Sequence, residues 1–347
     1  MHRGIRANLR IDVQCHLFPR SFIKGLSSTG SQLRISPPDE RGRRVVVDSK
    51  TGGEVTFFVD DSPFVDPKMH IRDMSDYGID RQILSLPPPG VDMILDPQEA
   101  LRLSMLINDE LARVVETYPD KFGALATIPM NNATVALQEI ERAINELGFK
   151  GIIVSSNTNA KFYDGDEYDE VFRTLERHNT PMFIHPTEPV TAKQIGQDYK
   201  LVLIFGWPFD TTLSIARLAF SGKLEMHPNL KIIAAHGGGM VPFFSGRIGM
   251  LAKVAAGGGK AISIDEPLKP LRNVYYDAAL FDANALELLI QFAGVDHVVY
   301  ASDYPFGRNQ GRSCYDESLA MMERLRADNN AKEKIFAGNI SRLLGRT

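Results

Sequence analysis

Five residues carry the chemistry this sequence can offer: Gln14, His16, His185, His236 and Asp303. They stand in the last positions of four short apolar runs, Gln14-Cys15-His16, Phe183-Ile184-His185, Ala234-Ala235-His236 and Tyr300-Ala301-Ser302-Asp303. The chain has 8 histidines, and those outside this set, at 2, 70, 178, 227 and 297, fall in helical patterns, in loops or at the start of a strand. Imidazoles and a carboxylate converging at strand ends are the donor set of a borderline divalent ion such as zinc, with one position open to water or substrate. Any one of these histidines alone fits a satisfied rim or core residue. Three of them with an aspartate on the last strand favour a site. Ser302 and Cys15 lack the strand-to-helix elbow and paired base of a covalent nucleophile, so ordinary packing is the better reading of both. Gly237-Gly238-Gly239 has no Lys-Ser/Thr sequel, and it reads as room for backbone beside the site, not as a phosphate cradle.

The elements that must position these residues are short β-rich runs alternating with longer amphipathic stretches, which is the pattern of βα units. The spacing predicts strands over Ile11–Leu17, Arg81–Leu86, Phe122–Ile128, Gly151–Ser155, Met182–His185, Leu230–Ala235, Val274–Ala278 and His297–Ala301. Helical patterns lie between them, beginning with Asp66–Tyr77 and Pro97–Tyr118 and ending with Glu317–Ala327. Most of the strands are continuous apolar runs, as strands buried on both faces are. Eight strands alternating with eight helices imply an α/β fold, most economically a (β/α)8 TIM barrel whose catalytic groups sit at the C-terminal strand ends. A doubly wound open sheet is the competing topology, but the turn after the first strand is His-Leu-Phe-Pro and not the Gly-rich dinucleotide fingerprint.

About fifty residues separate the first strand from its helix, and so long a connection is commonly functional. Within it, Arg44–Val47 and Glu54–Val59 flank Lys50-Thr51-Gly52-Gly53 as a hairpin would. The segment from about 26 to 62 therefore reads as a small β insertion over the barrel mouth. The C-terminal helical tail, Ala331–Leu344 within 331–347, is expected to pack outside the barrel. No repeat or linker marks a second domain, so residues 1–347 read as one domain.

Composition removes whole classes of function. In 347 residues, 44% are hydrophobic and 24% charged, which excludes a disordered or collagen-like chain. The balance of 39 basic against 43 acidic side chains, a formal charge of −4, gives no footprint for nucleic acid or an anionic membrane. The 2 cysteines, Cys15 and Cys314, make neither a disulfide framework nor a thiolate metal site. No apolar run reaches the roughly 18 residues of a membrane span, and no secretory signal core is present. A cytoplasmic protein without nucleic-acid or membrane partners is the expectation.

Four segments carry a resemblance to a known family: Ile11 through Pro19; Ile184-His185-Pro186; Gly206-Trp207-Pro208-Phe209-Asp210-Thr211-Thr212 through Leu230 to Gly239; and Ala301-Ser302-Asp303-Tyr304-Pro305. In order and spacing they resemble amidohydrolase-related proteins of the aminocarboxymuconate-semialdehyde decarboxylase type, over nearly the whole chain. The resemblance implies a (β/α)8 barrel holding one divalent ion, zinc in the first place and manganese in some branches. It implies position 14, His16, His185 and Asp303 as the metal set, with His236 beside them as an acid/base group. Position 14 departs from the pattern. Gln14 stands where the family has His or Glu, so it could coordinate through its amide oxygen, orient water, contact substrate, or be inert.

The resemblance further implies that Arg247 reaches into a neighbouring subunit, where its guanidinium fork suits a substrate carboxylate. A solvated helix arginine is the alternative. A homodimer or higher homo-oligomer follows from that role. The family's carboxylate-binding arginine in the insertion falls near Phe58 here, with Arg43 and Arg44 close by in sequence. Trp207, Phe306, Tyr304 and Phe209 are candidates to wall the pocket, because aromatic faces hold a planar substrate at little entropic cost; core packing serves equally for Phe209.

The activity implied is metal-dependent, non-oxidative decarboxylation of a small aromatic or unsaturated carboxylic acid, with Asp303 and His236 managing the proton that replaces carbon dioxide. Metal-assisted hydrolysis or hydration of a lactone, amide or unsaturated acid is the enzymatic alternative, since the fold does not choose between them. A non-catalytic small-molecule binder is the remaining class.

Overall fold

Along the chain, β-branched and aromatic runs bounded by Gly, Pro, Asp and Asn form strands, and the amphipathic stretches between them form helices. The structure, a computed structural model, describes residues 9–26, 33–36, 40, 42–48, 54–58, 60, 62–88, 90–196, 198–255 and 266–345. Its strands are β1 (Ile11–His16), β2 (Leu33–Ile35), β3 (Arg44–Asp48), β4 (Glu54–Phe58), β5 (Arg81–Ser85), β6 (Phe122–Ala124), β7 (Ala126–Thr127), β8 (Ile152–Ser155), β9 (Met182–His185), β10 (Ile232–Ala234), β11 (Tyr275–Asp277) and β12 (Val298–Val299).

The parallel strands fall into two hydrogen-bonded ladders, β1-β5-β6 and β12-β11-β10-β9-β8-β7, and do not run as one continuous ladder. Backbone hydrogen bonds join the two arcs at both seams. β6 and β7 are one strand interrupted at Leu125, whose N–H donates to Leu84 O at 2.9 Å while Ala126 N–H donates to Gly151 O at 3.0 Å. At the opposite seam Val13 N–H donates to Tyr300 O at 3.1 Å and His16 N–H to Tyr304 O at 2.8 Å. Every strand position expected from the sequence is present, in the expected order.

Because side chains alternate across a strand, the two faces feed different cores. Ile152, Val154, Met182, Ile184, Ile232 and Ala234 join the large cluster packed under the helices. Ile11, Val13, Ile83, Leu125, Ile153, Phe183, Ile233 and Val299 meet in a second, smaller cluster drawn from both arcs. Ile340, Leu343 and Leu344 of the C-terminal tail belong to this inner cluster. Ile335 of the same tail joins the large cluster and Phe336 packs against it, so the tail is buried against both clusters.

The connection after β1 opens with a helix, Arg20–Leu26, that the sequence pattern does not announce, and then carries the antiparallel sheet β2-β3-β4. The expected hairpin is in register, with Val45 opposite Phe57 and Val47 opposite Val55. Its turn at 49–53 lies outside the described residues. Helix Pro67–Tyr77 then begins at Asp66, whose side chain accepts from Lys68 N–H at 2.9 Å.

The segment Asp198–Phe220, 23 residues that include a kink at Tyr199 with φ +53°, has a most apolar window of mean hydropathy 1.3 and so meets the length and apolarity of a membrane span. Its second half, Trp207–Phe220, is a core helix instead. Asp210, Thr211, Ser214, Ile215 and Leu218 are buried on it, and Asp210 accepts hydrogen bonds from Ser156, Asn157 and Val190 N–H.

Candidate metal and catalytic site

The strand-end residues converge. β1 delivers Gln14 and His16, β9 ends on His185, His236 follows β10 after Ala235, and Asp303 follows β12. One donor atom from each of His16, His185 and Asp303 lies within 4.8 Å of the others. His16 Nε2 stands 3.2 Å from Asp303 Oδ1, and His185 Nε2 stands 4.0 Å from the same oxygen. The other carboxylate oxygen, Oδ2, faces His236 Nε2 at 3.7 Å. Asp303 therefore offers one oxygen to the donor set and the other to His236.

Backbone strain at two of these residues is held by neighbours. Asp303 has φ +62° and His236 φ +53°, left-handed conformations that a non-glycine residue adopts at a cost. Buried Asp12 fixes the approach to Asp303 by accepting from Ser302 N–H at 3.0 Å and from Ser302 Oγ, which in turn accepts from Tyr304 N–H at 3.2 Å. After His236 the chain passes through Gly237, Gly238 and Gly239 at φ +60°, +71° and +64°. A Cβ at Gly239 would lie 2.0 Å from Pro208 O, so these glycines make room for backbone, as the sequence suggested.

The electrostatics separate the roles. His185 Nδ1 lies 2.8 Å from Pro186 O, which makes it the protonated nitrogen and leaves the Nε2 lone pair toward Asp303. Burial pushes His185 down to about 4, so the ring is neutral near pH 7. Burial would raise Asp303, but its contacts with His16, His185 and His236 outweigh that and hold the carboxyl well below its usual range. His236 is held above its usual value: burial works against its charged form, and Asp303 and Asp277 more than offset it.

Gln14 is 1% exposed and sits among all of them. Its Nε2 is 2.8 Å from His185 Nε2, 3.0 Å from Asp303 Oδ1 and 3.3 Å from His236 Nε2, while its Oε1 is buried without a partner among the described residues. The two ends of an amide differ little in shape, so a half-turn exchanges them and brings the oxygen to the donor set.

Two aromatic residues wall this cluster. Trp207 packs edge-on to His185 at 6.2 Å, and Phe306 packs edge-on to His16 at 5.1 Å and to Trp207 at 6.4 Å. Tyr304 is not a wall. It is fully buried behind β1, with its hydroxyl donating to Asp73 at 2.9 Å, because the turn after Asp303 sends it into the core. Phe209 is half-buried and joins no ring cluster among the described residues.

Arg247 is not brought to the cluster within this chain. It lies on the exposed face of helix Ser245–Ala255, without an ion pair among the described residues. Of the insertion residues, Arg43 pairs with Asp60 at 2.8 Å on the surface, and the Phe58 side chain lies outside the described residues. The two rejected nucleophiles are packing residues: Ser302 is buried against Asp12, and burial raises the Cys15 thiol well above its usual value.

Sequence reasoning passed over Asp12 and Asp277. Both are fully buried carboxylates set in apolar strands, and that charge in an apolar run was the available signal.

Comparison with known proteins matches residues 11–346 to the amidohydrolase family model. The chain is 30% identical over 345 residues, 97% of its own length and 92% of the relative's, to a 2-amino-3-carboxymuconate-6-semialdehyde decarboxylase of Dictyostelium discoideum. In fold it matches the crystal structure of 5-carboxyvanillate decarboxylase LigW from Sphingomonas paucimobilis with a TM-score of 0.82 and 23% identity, covering 98% of this chain and 99% of that one. A dihydroxybenzoic acid decarboxylase from a Polaromonas species, solved with bound manganese and the inhibitor 2-nitroresorcinol, matches with a TM-score of 0.74 and 23% identity over 97% of both chains. These neighbours place the two arcs of strands in a TIM-barrel α/β fold.

Proposed function

The chain belongs to the amidohydrolase family and is an enzyme, a decarboxylase, and on that premise we propose that it releases carbon dioxide from a small aromatic or unsaturated carboxylic acid without oxidation, using one divalent ion. The observation that carries this reading is the convergence of His16, His185 and Asp303 within 4.8 Å beside His236.

The residues fit a metal. His185 presents a neutral lone pair, Asp303 an ionised oxygen, and the buried, unpartnered Oε1 of Gln14 finds a partner if its amide turns toward a cation. His16, His185, Asp303 and Gln14 through its oxygen would hold the ion. Two imidazoles favour zinc, and two oxygens keep manganese within reach. When bound, the ion would supply positive charge that holds the anionic oxygens of the substrate at the strand ends.

The remaining work falls to side chains of this protein. Charged His236, held by Asp303 Oδ2, delivers a proton to the carbon that bears the carboxylate. The electron pair of the breaking C–C bond then returns to the unsaturated system as carbon dioxide leaves. Trp207 and Phe306 hold the planar substrate at the strand ends.

The test supplies zinc or manganese to purified protein and offers 5-carboxyvanillate, dihydroxybenzoate and aminocarboxymuconate semialdehyde. One ion per chain and carbon dioxide equal to the acid consumed are expected. Consumption of any acid without carbon dioxide, or a protein that takes up neither metal, overturns the reading.

Arg247 completes the site from a second copy of the chain in this reading. Its helix and the neighbouring segments expose large apolar side chains, Phe243 at 75%, Met250 at 60% and Phe205 at 56%, the kind of surface that marks an interface. Co-expressed Arg247→Ala and His236→Ala chains should recover activity that neither shows alone, up to about a quarter of the parent's, because half the dimers are mixed and one site in each is whole. A monomer in solution, or no recovery in mixed dimers, overturns this part.

A further inference from the structure

We propose that Asp277 is the positioning residue for His236, holding the turn that carries the imidazole and supplying a buried negative charge behind it. The proposal rests on the acid role given to His236 above.

The placement follows from strand register. β11 pairs with β10 through Ile233 opposite Tyr275 and Ala234 opposite Tyr276, so Asp277 comes level with the exit of β10 where the chain turns into His236. Its Oδ1 accepts from Gly237 N–H at 3.2 Å and from Ala279 N–H at 3.1 Å. The first of these bonds matters most. It grips the peptide group that follows His236 in a run of four left-handed residues, 236 to 239, that would not keep this shape without support. Tyr276 and Leu280 close around the same turn, against Gly238 and Gly237.

The second oxygen is the less expected feature. Asp277 is 0% exposed, yet Oδ2 has no hydrogen-bond partner among the described residues. A buried acceptor left unpaired costs free energy that a Val or Ala at the end of an apolar strand would not incur. An aspartate whose one oxygen is used by two amides and whose other is spare is therefore more than a turn clamp, for which Asn or Ser would serve. The charge is what distinguishes it. Oδ1 already brings that charge against the peptide that follows His236. Asp303 meets the His236 ring itself at 3.7 Å, and Asp277 acts through the turn that carries it.

The experiment uses metal-loaded protein and the panel acid with the highest kcat/KM. Asp277→Asn keeps an oxygen for the two amides and removes the charge, whereas Asp277→Ala removes both. For Asp277→Asn, kcat should fall by roughly ten- to a hundredfold, with KM within about threefold and metal per chain unchanged, as misplacement or discharge of an acid group would produce. Asp277→Glu, which restores the charge, should regain part of that loss. In a His236→Ala background the same Asn substitution should cost less than about twofold, because two residues acting through one step are not additive. A parental kcat in Asp277→Asn, or an undiminished loss in the His236→Ala background, overturns the proposal. Should Asp277→Asn unfold, the comparison of Asp277→Glu and Asp277→Ala in the two backgrounds decides by the same criterion. Full turnover by His236→Ala alone would instead overturn the acid role of His236.

Discussion

Two clusters of titratable groups, each built around buried side chains, look alike in composition and differ in one respect: whether the chain itself supplies the cation. In the first, Lys223 is 1% exposed and its Nζ donates to Asp166 at 2.7 Å and to Asp169, while His227 Nδ1 meets Glu176 at 3.0 Å. In the second, His16, His185 and one oxygen of Asp303 converge, Gln14 Nε2 donates to His185 and to Asp303, and no lysine or arginine pairs with them among the described residues. Its one chargeable neighbour, His236, stands against the opposite oxygen of Asp303. Where both signs come from the chain, burial is repaid within the fold and the cluster ties helices together. Where the chain brings no lysine or arginine to the converging imidazoles and carboxylate, the missing positive charge points outward, to a ligand.

The largest expected effects separate the two clusters cleanly. Asp303→Asn should lower turnover by about 1,000-fold or more and reduce the metal carried per chain, since it strikes both the donor set and the partner of His236. Lys223→Met should leave metal content and kcat per folded chain unchanged but lower stability by about 1.5–3 kcal/mol, the worth of hydrogen bonds to a charged group, read as a lower Tm. Loss of metal in Lys223→Met, or an Asp303→Asn protein that keeps both metal and turnover, would dissolve the distinction.

The site was more legible in the sequence than its supports. His16, His185 and Asp303 could be read because strand ends are fixed by periodicity, and a polar residue closing an apolar run stands out. The eight strand positions were legible for the same reason. The helix Arg20–Leu26 and the three-residue strand β2 were not, being too short to show a period. That Ile340, Leu343 and Leu344 share a buried cluster with Ile11 and Val13, more than 300 residues earlier in the chain, is an arrangement no local pattern encodes. Asp12 and Asp277 show the limit most clearly. Each breaks an apolar run as plainly as His185 does, but a carboxylate that grips backbone amides has no spacing rule, so its role appears only once Ser302 or Gly237 is seen against it. Tyr304 erred the other way: proximity to Asp303 in sequence suggested the pocket, and the left-handed turn at Asp303 sent the ring into the core.

The smallest effects lie in pH, where the two clusters should fail at opposite ends. Burial would lower Lys223, but Asp166 and Asp169 outweigh it and hold the amine above its ordinary 10.5. A cation favoured by folding contributes in full below the unfolded value and loses that contribution as pH rises through the folded one. His185 runs the other way. Burial depresses it from 6.5 to about 4, so as pH falls across that window the unfolded chain takes up a proton that the folded chain refuses, and stability declines. His236 is raised above 6.5, so its contribution has the opposite sign: it is complete below the unfolded value and is lost as pH rises through the folded one. In metal-free protein, Tm against pH should therefore drop less steeply between 6.5 and 4 in His185→Asn than in the parent, and less steeply above 10.5 in Lys223→Met. Each variant should leave the other limb parallel to the parent's. A single variant that flattened both limbs would mean that the clusters are coupled through the fold, and that one ionic network, not two, is buried in this chain.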